Sequence, residues 1–230
     1  VTNSTVDGNI FEKVKGIDAS FSEGMSNALK ASGNQAAIDL YKQYADQLVV
    51  IDPNYRGTAK FNRGYGGVFI NSANVAKGTY FDYPFEVAFH EFGHMIDWLG
   101  NGKSGGTYAS NLPINGKRLQ DVIKEDYMLF RKANGLTSHA KVIALLDGEG
   151  MTDKAKGCIS DILEYCTNKS YPLGTGHGVG YHKVPGATEK EFFAEVMECA
   201  TTNPEGYAQM QRLFPNAVDF VWQIVKGLKV

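Results

Sequence analysis

His90-Glu91-Phe92-Gly93-His94 lies inside the longer run from Pro84 to Leu99, and its reading decides both fold and chemistry. On an α-helix, residues four apart lie one turn above each other, so His90 and His94 can aim both imidazoles at one metal ion. Glu91 sits about 100° round the helix, where it can take a proton from a water on that metal without being a ligand itself. The flanks predict a helix over about 84–99. Pro84 suits a first helical position and Glu86 the positive first turn, while Phe85, Ala88, Phe89, Phe92, Met95, Ile96 and Leu99 recur at helical spacing as a buried stripe. Gly100 and Gly102 then stop the helix. The competing reading is a surface helix with two unrelated histidines, and the apolar stripe argues against it.

A chain of 230 residues can bury a substantial core, and 43% hydrophobic with 21% charged residues excludes a disordered or fibrous chain. With 23 basic against 25 acidic side chains, no chain-wide field favours nucleic acid or an anionic membrane as partner. No run approaches the roughly 18 apolar residues of a membrane span. No signal-peptide pattern precedes the first helical segment, although the first residue is Val1 rather than methionine, as in a processed chain or an excised domain. Cys158, Cys166 and Cys199 are odd in number and fit no zinc knuckle or disulfide scaffold, so they are expected as small buried apolar residues. Cys158 and Cys166 are about two turns apart, too far along one helix to bridge. That cysteine usage favours a reducing compartment, hence an intracellular protein over a secreted one.

Residues 1–18 are weakly patterned and read as an arm or leading helix. Helical periodicity predicts helices over about 20–31 and 34–48, broken at Gly33. Leu48-Val49-Val50-Ile51 predicts a strand ended by Asp52-Pro53, and 57–62 and 66–71 predict two more around Arg63-Gly64-Tyr65-Gly66. Beyond the motif helix come a loop at 100–113 and helices over about 117–134, 138–146 and 152–167. A glycine-rich loop from Tyr171 to Gly186 carries His177 and His182, and helices over 189–201, 204–213 and 216–228 complete the chain. Few strands before the motif helix and many helices after it predict an α+β fold, a single domain over 1–230. Its parts are a helical segment 1–48, the sheet and motif helix 49–100, helices and glycine-rich loop 101–187, and C-terminal helices 188–230.

Catalytic zinc takes three protein ligands and keeps a fourth position for water. No histidine follows His94 before His139, so a downstream glutamate is the natural third ligand. The run Glu191-Phe192-Phe193-Ala194-Glu195-Val196-Met197-Glu198 offers three on one helix face.

Together the blocks His90-Glu91-Phe92-Gly93-His94-Met95-Ile96-Asp97 and Glu191-Phe192-Phe193-Ala194-Glu195 resemble the catalytic domain of the anthrax lethal factor-like gluzincin metallopeptidases. The stretch 66–228 also resembles in layout the domains that close phage head-morphogenesis proteins, which implies a virion-associated location beside an intracellular one. The resemblance implies a zincin-like fold with zinc held by His90, His94 and Glu191, and Glu91 as general base. It implies Glu195 as hydrogen-bond acceptor for a ligand histidine, with Asp97 in similar support. This chain departs from the family in two places. The stretch between His94 and Glu191 is long, so its helices read as an insertion. The family's oxyanion-donating tyrosine, about two turns before the glutamate, falls on Val184, so the role passes to Tyr181 through a longer loop.

Each residue has a plainer alternative. Thr188-x-x-Glu191 is a capping-box pattern, in which Glu191 would bond to its own helix terminus. Glu195, Glu198 and Asp97 can be solvated helix charges, His177 and His182 exposed loop residues, and Tyr165 or Tyr171 can replace Tyr181. The expected function is a zinc-dependent endopeptidase in which Glu91 activates water and then protonates the leaving amine. Its substrate is a peptide or protein laid as an extended strand along Gly67-Val68-Phe69-Ile70-Asn71 as sheet edge, with Gly66 and Gly67 allowing close approach. The alternatives are a catalytically silent zincin-fold module of a larger assembly, or a cysteine hydrolase pairing one cysteine with a histidine.

Overall fold

Val50–Asp52 (β1), Lys60–Asn62 (β2) and Gly67–Phe69 (β3) form a sheet whose order is β1-β3-β2, with β3 parallel to β1 and antiparallel to β2. The computed structural model that gives this topology describes residues 8–102 and 107–228. Residues 67–71 therefore do not supply the sheet edge expected of them. Val68 and Ile70 donate their amides to Val49 and Asp52 on one side while β2 pairs on the other, so both sides of β3 are used. The edge that faces the motif helix is β2.

The fold is mixed α+β, and the helices follow the apolar periodicity closely. Ala19–Ala31 (α1) and Gln35–Tyr44 (α2) are capped by Asp18 and Asn34, whose side chains accept from Phe21 N and Ala37 N. Ser72–Lys77 (α3), capped by Asn71, is a helix that the periodicity does not predict, because six residues are too few to display a helical period. The motif helix is Glu86–Leu99 (α4). Pro84 precedes it instead of opening it. The Glu86 carboxylate folds back to accept from the Tyr83 amide, and Phe85 takes a left-handed conformation with φ 66°. That conformation is offset by packing, since the Phe85 ring meets Phe21 edge-on at 5.3 Å and lies against Gly24, where a Cβ would stand 2.3 Å from it.

Leu119–Ala133 (α5), His139–Gly148 (α6) and Asp153–Thr167 (α7) follow. The glycine-rich stretch is loop except for one 3-10 turn at Tyr181–Lys183. Ala187–Thr202 (α8), Pro204–Leu213 (α9) and Pro215–Gly227 (α10) end the fold, the last two each opening on proline. Phe89 and Phe92 of α4, Phe192 and Phe193 of α8, Ile159 and Ile162 of α7, and Val221 of α10 belong to one continuous apolar core. The helices between motif and glutamate thus share the main core, α7 packing on α8 and α9, and α5 on α10.

Residues 1–7 of the expected N-terminal arm lie outside the described residues, as do 103–106 of the 100–113 loop. Residues 8–18 form turns and not a helix; Lys15 bridges to Val49 beside the sheet, and Phe11 and Val14 enter the core. The cysteines also differ from expectation. Cys158 on α7 and Cys199 on α8 form a disulfide with their Cα atoms 6.8 Å apart, and Cys166 alone stays free. The odd count concealed a pair on different helices, and the argument for a reducing compartment falls with it. No helix among the described residues is long and apolar enough to cross a membrane.

Candidate metal centre

The centre is made where α4 crosses α8, and Gly93 permits the crossing. A Cβ at Gly93 would lie 3.1 Å from the Ala194 Cα and 3.2 Å from the Met197 Cβ, so only a residue without a side chain lets the two backbones approach this closely. Gly93→Val is expected to cost about 1–3 kcal/mol and, by forcing α8 outward, to weaken any metal binding between the two helices. Denaturant unfolding and zinc titration would check it; an unchanged midpoint would show that the close approach does not hold the helices.

Across that contact Glu191 meets both histidines. Its Oε2 lies 3.4 Å from His90 Nε2 and 3.5 Å from His94 Nε2, and all three ligand atoms fall within 4.8 Å of one another. Ligand atoms about 2.0–2.1 Å from a tetrahedral zinc ion stand about 3.3 Å apart, so the observed spacing suits a cation between them. It is long for hydrogen bonds between an imidazolium and a carboxylate, which close to about 2.7–2.9 Å. Glu191 Oε2 is buried without a hydrogen-bond partner among the described residues, as expected of an atom turned towards a metal. Helix α8 begins at Ala187 behind Gly186, so Thr188 lies inside it and the capping box does not form.

Charge in the site is coupled. Burial opposes ionisation of Glu191, yet the neighbouring His94 and His90 imidazoles hold its carboxyl well below the usual range. Burial likewise disfavours charging His90, but the adjacent Glu191 carboxylate and the bond to Glu198 outweigh this and raise its pKa well above the ordinary value. An anionic pocket that attracts a proton so strongly also attracts a metal cation.

His90 is oriented by Glu198, its Nδ1 2.7 Å from Glu198 Oε2, whereas the resemblance implied Glu195 as the acceptor for a ligand histidine. Helix geometry explains the difference, because a residue seven further on lies about 20° from Glu191 around the helix and a residue four further on about 40° to the other side. Glu195 is buried with its Oε2 unpartnered among the described residues, and burial pushes its pKa well up. Asp97 is fully buried but serves Ser110, whose amide and hydroxyl both donate to it, at 2.7 and 2.5 Å. Burial raises its pKa to about 7 against those two bonds. It thereby anchors the segment after the motif helix, and no hydrogen bond joins it to His94 among the described residues.

Glu91 stands beside the ligands, its Oε2 accepting from the Phe61 amide of β2 at 2.5 Å. The Tyr181 hydroxyl donates to Glu191 Oε1, so the 3-10 turn does bring this tyrosine to the centre. A cavity of about 160 Å³ lined by Phe61, His90, Glu91, His94, Tyr181 and Lys190 opens over these groups. It shares Ala59, His90, Glu91 and His177 with a second cavity of about 460 Å³, and together they make a cleft. Lys190 and Tyr108 escaped sequence reasoning; the lysine nitrogen lies 5.0 Å above the Tyr108 ring, at the cleft wall. His177 joins the wall through Asp161, whose Oδ1 lies 3.1 Å from its Nδ1. His139 is remote from the centre and pairs with Tyr127 on α5. Searches against protein-family models, curated proteins and solved structures find no match to this chain.

Proposed function

We propose that this chain is a zinc-dependent endopeptidase of the zincin-like, lethal factor-like type, with His90, His94 and Glu191 holding the metal. The observation that carries the proposal is the convergence of two Nε2 atoms on one orphaned, buried carboxylate oxygen at 3.4 and 3.5 Å. A zinc ion held there supplies Lewis acidity, making water acidic enough to deprotonate near neutral pH. The residues supply the rest. Glu91 takes the proton of the attacking water and returns it to the leaving amine, so one carboxylate serves both halves of the reaction. Tyr181, whose hydroxyl donates to Glu191 Oε1 in the free protein, turns that donation to the oxyanion of the tetrahedral state; losing one such donor typically costs about 2.7–4 kcal/mol of barrier.

The peptide lies along β2, with its backbone paired to the strand. In the free protein the Phe61 amide is engaged by Glu91. A substrate carbonyl that takes over this amide releases Glu91 for water, coupling binding to readiness of the base.

Metal analysis combined with digestion of a broad peptide library tests the proposal: about one zinc ion in this centre and metal-dependent cleavage are expected. Zinc without turnover would favour the silent structural module, and alkylation that abolishes turnover would favour a cysteine hydrolase.

A further inference from the structure

Behind the cleft, α7 and the 3-10 turn bring together a second set of metal-ligand side chains that the hydrolytic mechanism does not use. Asp161 and Glu164, one turn apart on α7, are 3% and 0% exposed, and the His182 side chain is 3% exposed. His182 Nε2 lies 3.4 Å from Asp161 Oδ1 and 3.6 Å from Glu164 Oε2, and one ligand atom from each residue falls within 4.8 Å of the others. Asp161 Oδ2, Glu164 Oε2 and His182 Nε2 are all buried without a hydrogen-bond partner among the described residues. Native interiors rarely leave one such atom unsatisfied, and here two of them, Glu164 Oε2 and His182 Nε2, face each other at 3.6 Å, with Asp161, whose Oδ2 is the third, alongside through its Oδ1.

Each of the three side chains is also held from behind. His182 Nδ1 pairs with Thr188 Oγ1 at 3.1 Å, which directs Nε2 at the acids. Glu164 Oε1 accepts from the Tyr171 amide at 2.6 Å, leaving Oε2 to face inward. Asp161 is fixed through the same Oδ1 that faces His182, which accepts from the His177 amide at 2.7 Å and lies 3.1 Å from His177 Nδ1. Outer hydrogen bonds that fix each ligand's orientation are the usual surroundings of a metal ion. An imidazolium alone would draw one carboxylate to about 2.7–2.9 Å. The ring nitrogen instead stands between two oxygens at the spacing expected of ligands sharing a cation.

We propose that Asp161, Glu164 and His182 form a second, structural divalent-cation site, taking a transition ion of the zinc or manganese class that suits two carboxylates and one imidazole. The site ties α7 to the turn that carries Tyr181, and so positions that hydroxyl beside Glu191. It does not depend on the hydrolytic proposal, because it shares no ligand with the first centre.

The full chain, incubated with Zn2+ or Mn2+ and dialysed, is expected to retain about two equivalents by elemental analysis. His90→Ala/His94→Ala is expected to retain about one, and Glu164→Gln/His182→Ala about one. A single equivalent lost with the His90/His94 variant and unmoved by Glu164→Gln/His182→Ala overturns the second site while leaving the first. A single equivalent with the opposite dependence upholds the second site and overturns the hydrolytic centre; no retained metal overturns both. Should the Glu164/His182 variant fail to fold, anomalous scattering at the zinc edge from crystals of the parent chain decides. A peak between Asp161, Glu164 and His182 supports the site, and its absence overturns it.

Discussion

Glu91→Gln is expected to lower peptide turnover by about 10²–10⁴-fold while zinc content stays that of the parent chain. Glutamine has the same shape and can still accept from the Phe61 amide, so the local geometry that the structure gives Glu91 survives the change. What disappears is the ability to bind and return a proton. Turnover of a defined peptide and elemental analysis on the same preparation separate the outcomes. Parent-like turnover would remove Glu91 from the chemistry, and loss of zinc would make it a structural support of the ligands.

Removal of the Cys158–Cys199 disulfide is expected to lower stability by about 4 kcal/mol, the entropy released by opening a loop of this length. The cross-link spans 41 residues and joins α7 to α8, the helix that carries Glu191. Its loss acts chiefly on the unfolded chain, which gains freedom, so the ligand geometry should persist while the unfolding midpoint falls. Denaturant unfolding of a Cys158→Ala/Cys199→Ala chain beside the oxidised parent measures it. Three titratable thiols in the unreduced parent, or equal midpoints, would show that the bond contributes nothing.

The motif helix was legible because its two requirements, an apolar stripe and two histidines one turn apart, are both local in sequence. Glu191 was legible only beside that helix, since a lone helical glutamate carries no sign of its partner. What depended on packing was hidden. Glu198 and Glu195 look alike in the sequence, and only the crossing of α4 with α8 selects the former for His90. Asp161 and Glu164 carry no local sign that the glycine-rich loop buries them, its Tyr171 and His177 amides donating to their carboxylates. The edge strand was misjudged for a similar reason: 66–71 is the more apolar run, and apolar residues belong in the middle of a sheet, where β1 and β2 flank it. Cys199 lies far along the chain from Cys158, where no local pattern could pair them.

The shortness of β2 sets a limit on recognition. Three residues, Lys60–Asn62, span about 10 Å, room for only one or two reciprocal amide contacts with an incoming chain. For the proposed peptidase, so brief a grip cannot fix where along a polypeptide the cut falls, and selectivity comes from the few side chains nearest the scissile bond. Short peptides should therefore be nearly as good substrates as long ones.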